Sequence, residues 1–177
     1  MKSLLALIAL PSAAVAFSIK ALPASLAAQL QDASSDCILP GQYAIHDFVA
    51  KSNDTGTTLS EFEFKFIDAE TGSSTKCHWN TNTSSTTPPG MTPRYSCQDR
   101  NIKFIYDAPS KKLVMIERVC PNQQGTPSFE ATGSVVVPLA CHEELGTCIS
   151  GEKELKSAFT SLSPSRDPTF MRRSNTL

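Results

Sequence analysis

The clearest pattern in the chain is "EFEFKF", where Phe62, Phe64 and Phe66 alternate with Glu61, Glu63 and Lys65. A period of two places the rings on one face and the charges on the other, which predicts a strand with one buried and one wet side. Weaker versions recur. "QYAIHDFVA" sets Tyr43 and Ile45 on one side with Phe48 nearby, and "IKFIY" sets Ile102, Phe104 and Tyr106 together. "LVMIERVC" starts apolar on both faces. "SFEATGSVVVPL" runs Phe129, Ala131, Gly133, Val135, Val137 and Leu139 along one face. Turn chemistry separates these runs at "KSNDTGTT", "DAETGSS", "DAPSKK" and "PNQQGTP".

Short strands punctuated in this way predict an all-β fold: one small antiparallel β-barrel or sandwich. "NTNTSSTTPPGMTP", residues 80–93, predicts a long exposed loop, and Pro88-Pro89 keeps it out of a sheet interior. "EKELKSAFTSL" reads either as a helix or as a last strand.

The ends read differently. Residues 1–16 have Lys2, an apolar run from Leu4 to Leu10 and an Ala14-Val15-Ala16 site, the layout of a secretory signal peptide. The run is too short to span a bilayer. Residues 17–36 are expected to be a flexible leader, 37–162 the β domain, and 163–177 a disordered tail. A mature chain of about 160 residues fits one domain with a sizeable core.

Charge narrows the function. A formal net charge of -1 with no basic stripe argues against nucleic acid as a partner. No segment is long and apolar enough to insert in a membrane as a helix. Behind a signal peptide, an even set of six cysteines reads as disulfides. Fifteen pairings are open to six cysteines. Proximity favours Cys77–Cys97 and Cys141–Cys148, which leaves Cys37 for Cys120. Loop-closure arithmetic gives roughly 3.3, 2.5 and 4.6 kcal/mol for these bridges as upper values. Sequons at Asn53 and Asn82 mark candidate glycosylation sites on surface loops.

Two Cys-His pairs, Cys77-His78 and Cys141-His142, raise the question of a site, and Glu143 and Glu144 adjoin the second. A structural zinc centre needs four ligands at closer spacing than this. Adjacent residues of a strand also point to opposite faces. A cysteine nucleophile needs a free thiolate, and three bridges leave none. Glu61 and Glu63 read as the charged face of a strand, and His46 beside Asp47 has no nucleophile to serve. No G-x-S-x-G or H-E-x-x-H occurs. The expectation is therefore no catalytic residue, no metal and no cofactor.

In order along the chain, Cys37, "YAIHDF", "FEFKF", Cys77, "RYSC", "IKFIYD", "FEATGSVVVP", Cys141 and Cys148 resemble the Alternaria major-allergen family of fungal secreted proteins. The resemblance covers about residues 37–162. It implies a single β-barrel without a catalytic centre that tends to dimerise. It also implies the bridges Cys77–Cys97 and Cys141–Cys148, and a role as allergen, effector or elicitor at a host interface. The chain departs from the pattern in its extra Cys120, which offers Cys37 a partner within the chain and puts a covalent dimer in doubt. Its loop before "RYSC" and its tail are also long. The expected partner is a host or cell-wall protein or glycan, met through loops 51–58 and 80–93. The alternative is an extracellular carrier holding a small apolar ligand against the Phe62/Phe64/Phe66 face. An extracellular hydrolase is the remaining rival.

Overall fold

The computed structural model describes residues 37–52, 54, 56–142 and 146–165. The segments expected to be signal peptide and leader, Asn53, Glu143 and Glu144, and residues 166–177 of the expected tail lie outside the described residues. Ten strands follow in chain order: β1 Gln42–Ser52, β2 Leu59–Asp68, β3 Ser73–Asn80, β4 Tyr95–Ser96, β5 Ile102–Asp107, β6 Lys112–Pro121, β7 Pro127–Val136, β8 Leu139–His142, β9 Thr147–Ser150 and β10 Glu154–Pro164. None of the described residues is helical.

All pairings are antiparallel, in the order β3-β2-β1-β10-β7-β6-β5-β4. β8 and β9 form a small hairpin added on β1. The sheet curls until its two end strands, β3 and β4, face each other. There the Cys77–Cys97 disulfide spans the seam, and the Gln98 amide donates to the Lys76 carbonyl at 2.9 Å. The result is a nearly closed barrel, which removes most of the free sheet edge.

β1 serves two partners on one side, β10 along Gln42–His46 and β9 along Val49–Lys51. The switch falls at a bulge between His46 and Val49, where Asp47 takes a φ of 52°. Asp tolerates this left-handed conformation better than most residues, and a bulge adds the bend that barrel closure needs. At the crossing of β7 and β10, a Cβ on Gly133 would strike the Ala158 carbonyl oxygen and the Tyr43 ring, so only glycine lets these strands meet.

The alternation in "EFEFKF" holds: Phe62, Phe64 and Phe66 are buried while Glu63 and Lys65 are exposed. The rings fill the interior in mutual contact. Phe62 stacks on Trp79 at 5.2 Å and on Phe48 at 5.4 Å, and Phe64 meets the Phe104 edge at 5.3 Å. Burying each such ring is worth about 1.5–3 kcal/mol. A smaller cluster of Val119, Cys120 and Phe129 sits at the other end of the barrel, packed by Cys37 and Leu162.

Three readings of the sequence need revision or completion. The ambiguous segment near the C-terminus is strand β10, and it runs past residue 162. Ser163 and Pro164, expected in the tail, pair with Glu130 and Phe129 of β7. "SSTKCHWN", given no strand of its own above, is β3, in full register with β2. The long run from Phe129 to Leu139 is broken at Val137-Pro138, because proline cannot donate to the ladder. The chain resumes as β8.

Candidate functional site

The Cys-His question is answered by strand geometry. Cys77 is fully buried and bridged to Cys97, while His78 faces solvent and lies 2.9 Å from Glu61. Cys141 is bridged to Cys148, and Cys37 to Cys120. No cysteine remains free. Among the described residues no group of three or more His, Cys, Asp or Glu is placed to hold a metal ion. His46 faces Glu154 at 3.5 Å across the β1–β10 pair. Glu61 is gripped by Lys51 at 2.6 Å and by His78, and those hydrogen bonds hold its carboxyl below the usual range.

Two loops leave the barrel at the same end, and the described residues of each are tied down by hydrogen bonds. The turn between β1 and β2 is organised around Ser52 and Asp54. The Ser52 hydroxyl accepts from the Gly56 amide at 2.9 Å, and Asp54 Oδ1 accepts from the Thr58 amide at 2.7 Å and the Ser52 hydroxyl at 2.9 Å. The Thr58 hydrogen bonds lower the Asp54 carboxyl. The Ser52 amide donates to the Gly146 carbonyl at 2.9 Å, which joins this turn to the Cys141–Cys148 ring. Gly56 is required here: its φ is 88°, and a Cβ would lie 2.6 Å from Cys141 Sγ. The ring is therefore a staple that also seats the neighbouring turn.

The second loop, residues 81–94, starts beside the first, since Asn80 pairs with Glu61 and Glu61 holds Lys51. At its start the Asn80 amide donates to the Thr83 hydroxyl at 2.9 Å, and the Thr83 amide returns a bond to the Asn80 carbonyl. Its two limbs are then joined: the Thr86 amide donates to the Arg94 carbonyl at 2.8 Å, and the Thr87 hydroxyl to the Thr92 carbonyl at 2.9 Å. Its end is anchored by Arg94 Nη1, which donates to Glu130 Oε2 of β7 at 2.7 Å. The tip, Pro88 to Met91, is exposed, and Met91 is 49% accessible. Asn82 is exposed at the root of this loop.

The opposite end of the barrel holds a group the sequence reading missed. Asp68 and Glu117 are buried, at 0% and 2% accessibility. Asp68 Oδ1 accepts from the amides of Glu70 and Thr71, at 2.7 and 3.2 Å. Glu117 Oε1 accepts from the hydroxyls of Thr71 and Ser73, at 2.7 and 2.8 Å. The remaining oxygens, Asp68 Oδ2 and Glu117 Oε2, are buried without a donor among the described residues. Two neighbouring carboxylates have no proton to exchange, so both oxygens are satisfied only when one acid keeps its proton and gives it to the other. Burial pushes the Glu117 carboxyl up to about 7; the two hydroxyls oppose this, while the charge of Asp68 and its hydrogen bond add to it. The available signal was parity: Glu117 falls on the inward side of "LVMIERVC" with Leu113, Met115 and Val119.

No family profile matches the chain, and no curated protein sequence matches it. Among solved structures, the fold is similar to the Alternaria alternata allergen Alt a 1, with a TM-score of 0.49 and 14% identity over 70% of this chain and 88% of that one. A second crystal structure of the same Alternaria major allergen gives 0.47 and 13%, over 71% and 95%.

Proposed function

We propose that this protein is secreted and works by surface recognition, as an allergen-, effector- or elicitor-like binding protein at a host interface. The observation that supports this reading most is the pair of fastened loops at one end of a stapled barrel. A loop of polar and proline residues ordinarily costs conformational entropy when it is immobilised by a partner. Residues 81–94 have met that cost in the free protein, through the limb-to-limb bonds and the Arg94–Glu130 anchor. A rigid scaffold presenting ordered loops is the usual arrangement of a recognition surface. The partner class is a host or cell-wall protein or glycan, and the disulfides suit an oxidising extracellular setting. A carrier role draws no support from the aromatic interior, where the rings that would line a ligand are packed on one another.

The test replaces residues 84–92 by a Gly/Ser segment of equal length, which leaves the strands and bridges untouched. Wild-type and replaced proteins are compared by biolayer interferometry against fractionated plant and animal extracellular proteins and against uncharged cell-wall glycans. Binding that disappears with the loop, at unchanged melting temperature, supports the reading. Binding that survives loop replacement places recognition elsewhere on the molecule and overturns it.

A further inference from the structure

On the outer face of β1, β2 and β3 the side chains stand in rows that cross the strands, because facing residues share a register. Lys65 lies opposite Lys76 in one row, and Glu63 opposite His78 in the next. All four are exposed. Between the rows runs a trough of about 450 Å³. Phe64 and Cys77 turn their side chains inward and leave main chain as its floor. It extends from Asp47, at the β1 bulge, across the seam to Ser96 and Gln98 beside β4. Crossing four strands at their usual spacing makes it about 14 Å long.

Two features indicate what such a trough takes. Like charges directly opposite each other on an antiparallel pair are destabilising, yet Lys65 and Lys76 stand in that relation. The neighbouring carboxylates are not ion-paired with them: Glu61 is engaged with Lys51 and His78, Glu154 with His46 and Lys156, and Asp47 and Glu63, which line the same trough, form no salt bridge with either lysine. Two ammonium groups over one trough, without an ion pair among the described residues, form a place for an anionic group. The remaining lining differs in character. Asp47 and Glu63 repel a ligand that is anionic throughout, but they accept hydrogen bonds from hydroxyls, and Ser96 and Gln98 can donate or accept. The combination fits a molecule that carries spaced carboxylates and many hydroxyls on an extended chain.

We propose that this trough binds a short stretch of acidic polysaccharide built from uronic acids. Carboxylates rest on Lys65 and Lys76, and sugar hydroxyls are held by Asp47, Glu63, Ser96 and Gln98. The site is separate from the loops discussed above, and neither reading depends on the other. The lysine pair is then kept at a cost in stability because the ligand needs it, a common trade at binding sites.

The experiment is isothermal titration calorimetry of the secreted chain with oligogalacturonate, and with the same oligosaccharide fully methyl-esterified. Wild type is expected to bind the acid and not the ester, with affinity falling as salt is added. The double variant Lys65→Gln/Lys76→Gln is expected to lose at least tenfold in affinity while melting at the same temperature or higher. If that variant misfolds, the single reversal Lys76→Glu takes its place with the same expectation for affinity. Absence of binding by wild type, equal binding by the variant, or equal binding of the ester each overturns the proposal. Binding of polyacrylate, which carries carboxylates but no hydroxyls, as tight as that of galacturonate also overturns it, since that would be charge attraction without regard to hydroxyls. Retained galacturonate binding by the protein with residues 84–92 replaced keeps this result distinct from the fate of the loop reading.

Discussion

Glu117 is the residue whose chemistry most exceeds its sequence context. Its carboxyl has a usual value near 4.5 and is raised to about 7 in the fold, first by burial. An acid raised in the folded state favours folding while protonated. Its contribution is therefore whole below about 4.5 and is lost as pH rises toward 7. The facing groups are Asp68 of β2 and the hydroxyls of Thr71 in the β2–β3 turn and of Ser73 at the start of β3; the other buried carboxylate, Glu130, is occupied with Arg94. The wild-type melting temperature is expected to fall between pH 5 and 8, by an amount on the order of 3 kcal/mol in stability at most. Glu117→Gln keeps an acceptor for the hydroxyls and a donor for Asp68 but cannot ionise. Its melting temperature is expected to be flat across this range, as read by circular dichroism at each pH. An equal slope in the variant would assign the titration to another group. Gly56 makes a simpler case. Gly56→Ala meets both a positive φ and the Cys141 sulfur, so a loss of about 1–3 kcal/mol in urea denaturation is expected. These two residues also mark where the sequence was opaque. Nothing local says that Gly56 sits against a disulfide 85 or more positions away, and a glutamate in an apolar strand is legible only once its parity is counted.

At the scale of elements, legibility followed burial. β2 declared itself because one face is core and the other water, so burial wrote a strict alternation into "EFEFKF". β3 escapes the pattern because only Thr75 and Cys77 are buried along it; its outer residues are polar and its order comes from pairing with β2. β10 was ambiguous for a similar reason. Only Leu155 is fully buried in its eleven residues, and the strand is held by β1 at one end and β7 at the other. Tertiary pairing of this kind has no local signature. The loop at 81–94 was read as exposed, which it is, but its fastening depends on Glu130, 36 positions from Arg94. Removing that anchor tests the element directly. Arg94→Ala takes from Glu130, whose side chain is 7% accessible, its ion pair with Arg94 and leaves it facing Arg118 across the β6–β7 ladder. The expected cost is about 1–3 kcal/mol, less than a fully buried pair would lose because the arginine is 31% exposed. Amide exchange at Thr86, and proteolysis near Pro88, are expected to speed up well beyond the global change. Unchanged exchange at Thr86 would mean that the loop is held by its own limbs alone.

For the whole molecule, the three bridges divide the work of keeping a modest core folded. Cys77–Cys97 closes the barrel seam, Cys141–Cys148 seats the turn that carries Gly56, and Cys37–Cys120 joins the start of the barrel to the end of β6. The strand motifs and the six cysteines made this arrangement expected; which ends of the barrel the bridges serve emerged only with the topology. The intramolecular Cys37–Cys120 bridge leaves no thiol for a covalent dimer, so any dimer must be held by surface contacts. Intact mass of the protein expressed from its full sequence in a eukaryotic secretory host, under non-reducing conditions, tests this scheme together with the expected processing. The expected species is a monomer that begins at Phe17 and lacks all six thiol hydrogens. Glycan at Asn53 or Asn82 should be removable by an N-glycosidase. After digestion without reduction, the bridged peptides should pair 37 with 120, 77 with 97 and 141 with 148. A disulfide-linked dimer through Cys37 would instead leave Cys120 unpaired within the chain. The barrel end nearest Val119 and Phe129 would then lose the tie that entropy arithmetic makes the most stabilising of the three, at roughly 4.6 kcal/mol. That end also carries the Asp68–Glu117 pair, so such a dimer would show its pH-dependent unfolding at a lower melting temperature than the monomer.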